Sequence, residues 1–356
     1  MMTSLSGEEL LRALASRAGT APSPLNTQPW LVRFHGPARI ELFTDPARVL
    51  PALDPDFRQV IIAQGAFIEN LDIAAGALGF STDITFFPAG WPGTGLDLSA
   101  PVARIDLDRS PGKESDPLAA ALPLRQTNRR PYEHSPISTA MLTRLAESYD
   151  QFAIPLGMIT DTGSLPVLAG FVEQATALAL DDKRRFREIR SFLDIPGTTY
   201  RQDGYGLSHL GLGSLSQAGF RLKCAFLSGE RKELLLKETL IRLSRLQASS
   251  AAGFGWITTT GNLRVEQLNA GRAFERVALT AQSIGLSLQP MTQLLADYPG
   301  MKDLNSALHE FLGIPASRTI QVFFRMGYAR PAPHAPRRPV NAFTRGSCST
   351  GAGPGE

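Results

Sequence analysis

Two short segments carry the residues best suited to chemistry. The first, residues 21–30, reads A-P-S-P-L-N-T-Q-P-W. Three prolines stiffen the backbone around an asparagine, a threonine and a glutamine. Side-chain amides donate and accept at once, so they suit a ligand edge that alternates donors and acceptors. A backbone already held in place meets that edge with little loss of freedom. The second segment, residues 125–132, reads R-Q-T-N-R-R-P-Y and puts three arginines and a threonine within six positions. Guanidinium forks match phosphate oxygens, and a hydroxyl adds a further donor. Taken singly, each segment also reads as something plainer: a loop before a strand, and a solvated basic turn. What favours a ligand is their company, an amide loop early in the chain and a phosphate-type cluster about a hundred residues later.

Motifs for other chemistries are missing. There is no H-E-x-x-H, no C-x-x-C and no G-x-S-x-G, so zinc and serine hydrolase readings lack support. No G-x-G-x-x-G follows a strand pattern, so a Rossmann nicotinamide domain is not expected. No metal site is expected. The five histidines are scattered. His209, in the glycine-rich stretch D-G-Y-G-L-S-H-L-G-L-G-S-L-S-Q, is the one placed to meet a substrate; a capping or solvent-facing role is its default.

Several elements must position these segments. Leu10, Leu11 and Leu14 predict a short amphipathic helix over 7–18. Residues 31–34 and 40–43 form a hairpin turned at His35-Gly36-Pro37. Ile61, Ile62, Phe67, Ile68, Leu71 and Leu78 recur at helical spacing over 56–79. Further strands are expected at 102–107, 154–160, 255–260 and 319–326, and helices at 138–149, 164–180, 231–248 and 264–284.

Composition bounds the class. The chain has 356 residues, 43% hydrophobic and 19% charged, which fits a globular protein with a large core. A net charge of +3 does not argue for nucleic acid. The two cysteines, Cys224 and Cys348, are too few for a disulfide framework and suit a reducing cytoplasm. The N-terminus carries acids and no long apolar run, so neither a signal peptide nor a membrane span is expected there. The tail, residues 341–356, is small and polar and is expected to be disordered.

A repeat runs through this order. G-A-F-I-E-N-L-D-I-A-A-G-A-L-G-F (65–80) matches G-R-A-F-E-R-V-A-L-T-A-Q-S-I-G-L (271–286) at Gly65/Gly271, Glu69/Glu275, Ala75/Ala281 and Gly79/Gly285. Amphipathic helices share some pattern in any case. The match predicts an α+β chain of two related halves, antiparallel sheet with a central helix in each, packed as a pseudo-dimer. The first half would span 1–117 and the second 118–340.

These residues resemble the nitroreductase superfamily of flavin enzymes, and most of all its fused, Acg-like branch. The likeness rests on A-P-S-P-L-N-T-Q-P-W, D-P-D-F-R-Q-V-I-I-A-Q-G-A-F-I-E-N-L-D-I-A-A and R-Q-T-N-R-R-P-Y. It continues through residues 268–290, F-R-M-G-Y-A-R-P and P-R-R-P-V. The resemblance implies FMN bound where two halves meet. Arg125, Thr127 and Arg129 would hold the phosphate and ribityl chain. Pro22, Ser23, Asn26 and Gln28 would approach the ring from the other half. Pro290, Met291 and Thr292 would lie along the ring, and Arg337 or Arg338 would close over the phosphate. Trp30 would be a packing anchor. The stretch 190–230 would be a lid carrying His209. At Pro290 the chain reads P-M-T-Q, where many relatives have an acidic residue and a glycine.

The implied function is FMN-dependent electron transfer to or from a small organic molecule, with no catalytic side chain and NAD(P)H as a transient donor. The alternatives are a flavin storage protein, or a scaffold whose site has decayed. Only one half carries the arginine motif and only the other carries the amide loop, so one FMN per chain is expected. A fused chain containing its own interface is expected to act as a monomer or homodimer.

Overall fold

The computed structural model describes residues 7–90, 97–112, 114–149, 152–195 and 201–345. Helix α1 (Gly7–Ala18) leads into the hairpin β1 (Trp30–His35) and β2 (Arg39–Thr44). Helix α2 (Arg58–Ala77), β3 (Phe80–Phe86) and β4 (Pro101–Arg109) follow. Then come α3 (Thr139–Glu147), β5 (Leu156–Ile159), α4 (Ser164–Asp181) and α5 (Lys183–Ser191). Two short parallel strands, β6 (Leu193–Asp194) and β7 (Tyr205–Gly206), precede α6 (Ser214–Phe226) and α7 (Gly229–Ser249). The chain continues through β8 (Gly253–Thr259), α8 (Arg264–Ser283), β9 (Ser287–Pro290), α9 (Met301–Phe311) and β10 (Thr319–Gly327).

Two four-stranded antiparallel sheets result, with orders β1-β2-β4-β3 and β5-β8-β10-β9. Taken in chain order within each sheet, both read first, second, fourth, third. The long helix lies between the second and third strand in each. Helices α2 and α8 end alike, on Gly79 (φ +79°) and Gly285 (φ +78°), a left-handed conformation that glycine adopts without a Cβ clash. The sheets differ in cover. One face of the second packs on α8 and α3, the other on α4 and α9, and β10 is accordingly buried almost throughout.

Helix α2 is apolar and long enough to cross a membrane by composition, but 89% of its apolar window is buried inside the protein. It is the central core helix, covered by α1, α8 and the first sheet. The insertion between β5 and β8 builds a separate apolar cluster around Phe186, Tyr205, Leu210 and Leu236.

The expected disorder from residue 341 is corrected as far as Arg345. Phe343 is 1% exposed beneath α1 and α2, and its carbonyl accepts the Val32 amide at 2.8 Å. The chain end therefore folds back onto the first sheet because an aromatic in that tail finds an apolar pocket. Residues 346–356, Cys348 among them, lie outside the described residues. Strands β3, β6, β7 and β9 and helices α5, α6 and α9 were not anticipated. In α5 the sequence K-R-R-F-R-E-I-R-S has a narrow apolar stripe, and only Phe186 is buried.

Candidate functional site

A cavity of about 250 Å³ opens where the two sheet-bearing units meet. Helix α2 contributes Gln59, Ile62, Ala63 and Ala66, helices α4 and α7 contribute Leu180 and Leu243, and α8 contributes Phe274. Among the sequence-predicted site residues, Pro22, Ser23, Thr127, Arg129, Pro290, Met291 and Thr292 all lie on its wall. Residues more than two hundred positions apart are thus gathered at one place.

The arginine loop gets there by pairing with the second sheet. Thr127 bridges Leu288 in parallel, and the Asn128 amide donates to the Leu288 carbonyl at 3.2 Å. Beneath the loop lies Arg325 of β10, fully buried. Its guanidinium sits 3.7 Å from the Tyr132 ring and donates to the Arg130 carbonyl at 2.7 Å and to Gln289 Oε1 at 2.8 Å. Burial holds Arg325 down to about 10. Sequence reasoning included F-R-M-G-Y in the family likeness but missed this positioning role. The one available signal was a lone arginine inside an apolar strand. Gln289 passes the chain on to Gln247, so two amides, both with partners, form part of the cavity wall.

Arg129 extends over the Tyr205 ring at 4.3 Å. Arg125 does not line the cavity. It is 5% exposed, reaches the Thr20 carbonyl at 2.5 Å and pairs with Glu275 of α8 at 3.0 Å. Arg337 donates to the Ala21 carbonyl at 2.7 Å and to Asn26 Oδ1 at 3.1 Å. Burial, with the positive charges of Arg125 and Arg129, holds Arg337 down to about 9, while Glu275 opposes the shift. Burial pushes Glu275 up to about 7, against the pull of Arg125 and Arg337. Three guanidinium groups thus cluster near one carboxylate that is itself reluctant to ionise: Arg125 pairs with it, Arg337 acts on it, and Arg129 acts on Arg337. The region is cationic and short of a counter-ion.

The amide loop is stiff, as its prolines suggested. Leu25, Asn26 and Gln28 are held at φ values of 48°, 56° and 54°, which side chains other than glycine adopt only under constraint. Its amides, however, do not reach the cavity. Asn26 Nδ2 donates to the Gly204 carbonyl at 2.8 Å and to the Pro336 carbonyl at 2.9 Å. Gln28 Nε2 donates to the Gln202 carbonyl at 2.8 Å, and its Oε1 accepts the Arg338 amide at 2.8 Å. Both residues clamp the strap 201–206 and the segment 336–338. Arg48 adds an ion pair to Asp203 at 2.6 Å. Arg338 faces away too, held by Asp45 at 3.3 Å and by the Gln28 carbonyl at 3.0 Å.

Three further residues singled out in the sequence are engaged within the protein. The Met291 amide donates to the Phe323 carbonyl at 2.8 Å, so it is not free for a ligand, and the side chain is 1% exposed. Thr292 Oγ1 donates to Gln59 Oε1 at 3.0 Å, across the seam. His209 does not line the cavity. Its Nδ1 accepts the Gly206 amide at 3.1 Å, so Nε2 carries the proton and faces the His334 carbonyl at 3.1 Å. Burial lowers its pKa. Trp30 is the packing anchor expected of it, 0% exposed and 5.2 Å from the Phe67 ring.

The stretch containing His209 lies against the arginine loop. A Cβ on Gly211 would stand 2.5 Å from the Arg129 carbonyl oxygen, and its φ is +84°, so only glycine fits there. Among the described residues that line the cavity, Arg129 is the one ionised side chain; no Asp, Glu, Lys or His takes part. Such a lining suits an anion with a large apolar body.

No family model matches the chain. The protein named "Putative NAD(P)H nitroreductase Rv3131" of Mycobacterium tuberculosis is 27% identical over 350 residues, covering 96% of this chain and 92% of that one. From the same organism, "Putative NAD(P)H nitroreductase acg" is 25% identical, covering 94% of each. The solved nitroreductase NfnB of Mycobacterium smegmatis, an FMN-dependent enzyme in complex with NADPH, overlays on 65% of the chain with a TM-score of 0.37 and 12% identity. Along nearly its whole length the chain is therefore similar to curated proteins named as putative NAD(P)H nitroreductases, Acg among them.

Proposed function

We propose that this protein is an FMN-dependent oxidoreductase of the nitroreductase type, with one FMN per chain at the seam of two related halves. The observation that carries the reading is the pairing of an apolar cavity with a single ionised wall residue, Arg129, backed by Arg337 and Arg125 against one carboxylate. These residues fit FMN. The cationic group receives a phosphate, and the walls of α2, Phe274 and Leu243 receive a flat ring. Relatives named NAD(P)H nitroreductases favour NAD(P)H as donor and a small organic acceptor.

Bound FMN would supply the electron transfer. The chain supplies position and shelter. Thr127 and Arg129 hold one end of the ligand, while Pro22 and Ser23 approach from the first half and Pro290 from the second. Arg125 and Arg337 set the potential around the phosphate from behind, and Arg325 keeps the loop in place. Asn26 and Gln28 act by closing the strap 201–206 over the site, which excludes water.

The identical strand order and the Gly65/Gly271 helix pair support related halves, the first ending near residue 117. Ala66, on the cavity wall, corresponds in the repeat to Arg272. That arginine lies 5.0 Å over the Phe152 ring and pairs with Glu69 and Asp72, so a large engaged side chain stands where the first helix has a small wall residue, which favours a single site.

A spectrum of the purified protein tests the reading. Flavin absorption that bleaches with NADPH and returns with a quinone or nitroaromatic supports the enzyme. Flavin that responds to neither supports storage behind a closed strap. Protein that stays colourless after incubation with FMN sinks both.

A further inference from the structure

Tyr298 lines the same cavity, is 6% exposed, and its hydroxyl has no hydrogen-bond partner. A buried tyrosine hydroxyl normally finds one, so the missing partner points to a ligand. The charges near it are engaged elsewhere. Arg185 stacks 4.0 Å from the Tyr298 ring while donating to the Leu178 carbonyl at 3.0 Å. Asp182 accepts the amides of Arg184 and Arg185 at the start of α5. The same helix fixes the facing wall: Glu188 accepts the amides of Ala52 and Leu53, both at 2.9 Å. Leu50, Leu53, Ala179, Leu180 and Tyr298 all line the cavity; of the polar groups on the same wall, Thr176, Ser244 and Gln293 bond one another, whereas the Tyr298 hydroxyl has no partner. Burial pushes Tyr298 up to about 12, so the hydroxyl keeps its proton and serves as a donor.

We propose that this part of the cavity is a subsite for an uncharged, largely apolar ring compound bearing a carbonyl oxygen, and that the Tyr298 hydroxyl donates the hydrogen bond that fixes that oxygen. The inference rests on the flavin reading, because it assigns Arg129, the one charged wall residue, to the phosphate. An anionic compound would then bring a charge into a wall that offers no counter-ion. Tyr298 is a positioning residue for binding; no proton transfer is assigned to it.

The test is a titration of the oxidised, FMN-loaded protein with three probes, read by the flavin absorbance band. The probes are 1,4-naphthoquinone, its 2-sulfonate, and naphthalene, which lacks the oxygen. Unmodified protein should bind the neutral quinone at least about tenfold more tightly than the sulfonate. Tyr298→Phe should weaken the quinone about tenfold and leave naphthalene unchanged, since it removes one hydrogen bond and keeps the ring. Its FMN content should equal that of the unmodified protein. Equal affinity for quinone and sulfonate would overturn the proposal. So would a Tyr298→Phe protein in which the ratio of quinone to naphthalene affinity is unchanged. If Tyr298→Phe does not fold, the sulfonate comparison on the unmodified protein decides. A protein that takes up no FMN sinks the flavin reading instead, and the same titrations are then followed by tryptophan fluorescence.

Discussion

Gly65 of α2 and Gly271 of α8 meet backbone to backbone where the two helices cross. A Cβ on Gly271 would stand 2.0 Å from the Ile62 carbonyl oxygen and 3.1 Å from the Gly65 Cα. A Cβ on Gly65 would stand 2.1 Å from the Leu268 carbonyl oxygen. The obstacles are backbone atoms of helices, which cannot swing aside. The crossing therefore sets the separation of the two units and, with it, the width of the cavity that Ile62, Ala66 and Phe274 line.

Gly271→Ala is expected to destabilise the protein by about 3 kcal/mol, the upper range for overpacking. Urea denaturation measures this. A change below about 1 kcal/mol would mean that the helices separate easily.

Arg129 and Arg125 should separate by function. Arg129→Ala removes the cavity's cation and should weaken FMN about tenfold to a hundredfold, the worth of one charge-assisted contact. Riboflavin, without a phosphate, should be hardly affected. Arg125→Ala strands the buried Glu275 and should cost about 3–5 kcal/mol of stability. Isothermal titration with the two flavins, beside denaturation of each variant, distinguishes the roles. Loss of riboflavin and FMN together in Arg129→Ala would place it at the ring.

Glu275 should make FMN binding depend on pH. Its pKa in the fold is pushed up to about 7 from an ordinary value of 4.5, chiefly by burial. The folded state thus holds this proton more tightly than the unfolded chain does. The group's contribution to stability is full below the unfolded value and is lost as pH rises through about 7. Ionisation also cancels one of the three guanidinium charges. Glu275→Gln should therefore bind FMN more tightly than the unmodified protein at pH 8, on the order of tenfold, and about equally at pH 5.5. Parallel titrations at both values check this; a variant that binds more weakly at pH 8 would show that the ionised carboxylate is needed.

Asn26 should govern the strap. Asn26→Leu leaves the Gly204 carbonyl without its side-chain donor and the Pro336 carbonyl with only the longer contact from Gln28 Nε2, a loss of about 1–3 kcal/mol for the unpaired carbonyl. Trypsin should cut after Arg201 much faster in this variant, and FMN and riboflavin should both dissociate faster. A protected Arg201 with unchanged flavin release would show that the strap is held from elsewhere.

Bound flavin should be one per chain. Release by heat after saturation, against protein concentration, should give a ratio near one. A ratio near two would mean that the space filled by Arg272 and Phe152 opens to a second ligand.

The sequence by itself determined the local pieces. Helical spacing of Ile61, Phe67 and Leu71 foretold α2, and the helix expected over 264–284 stands as α8. The two segments chosen for their chemistry do meet at one cavity, through Ser23, Thr127 and Arg129. Only the tertiary structure decided which side chains face it. Asn26, Gln28 and Arg125 have the right types for a ligand, yet their partners are the protein's own carbonyls and a carboxylate, lying 178, 174 and 150 positions away in sequence for Gly204, Gln202 and Glu275. Residue type states what a group can bond. Which bond forms depends on what the fold brings within 3 Å, because a buried donor takes the nearest acceptor. Tyr298 shows the converse: nothing in D-Y-P-G marks it, and only burial without a partner sets it apart.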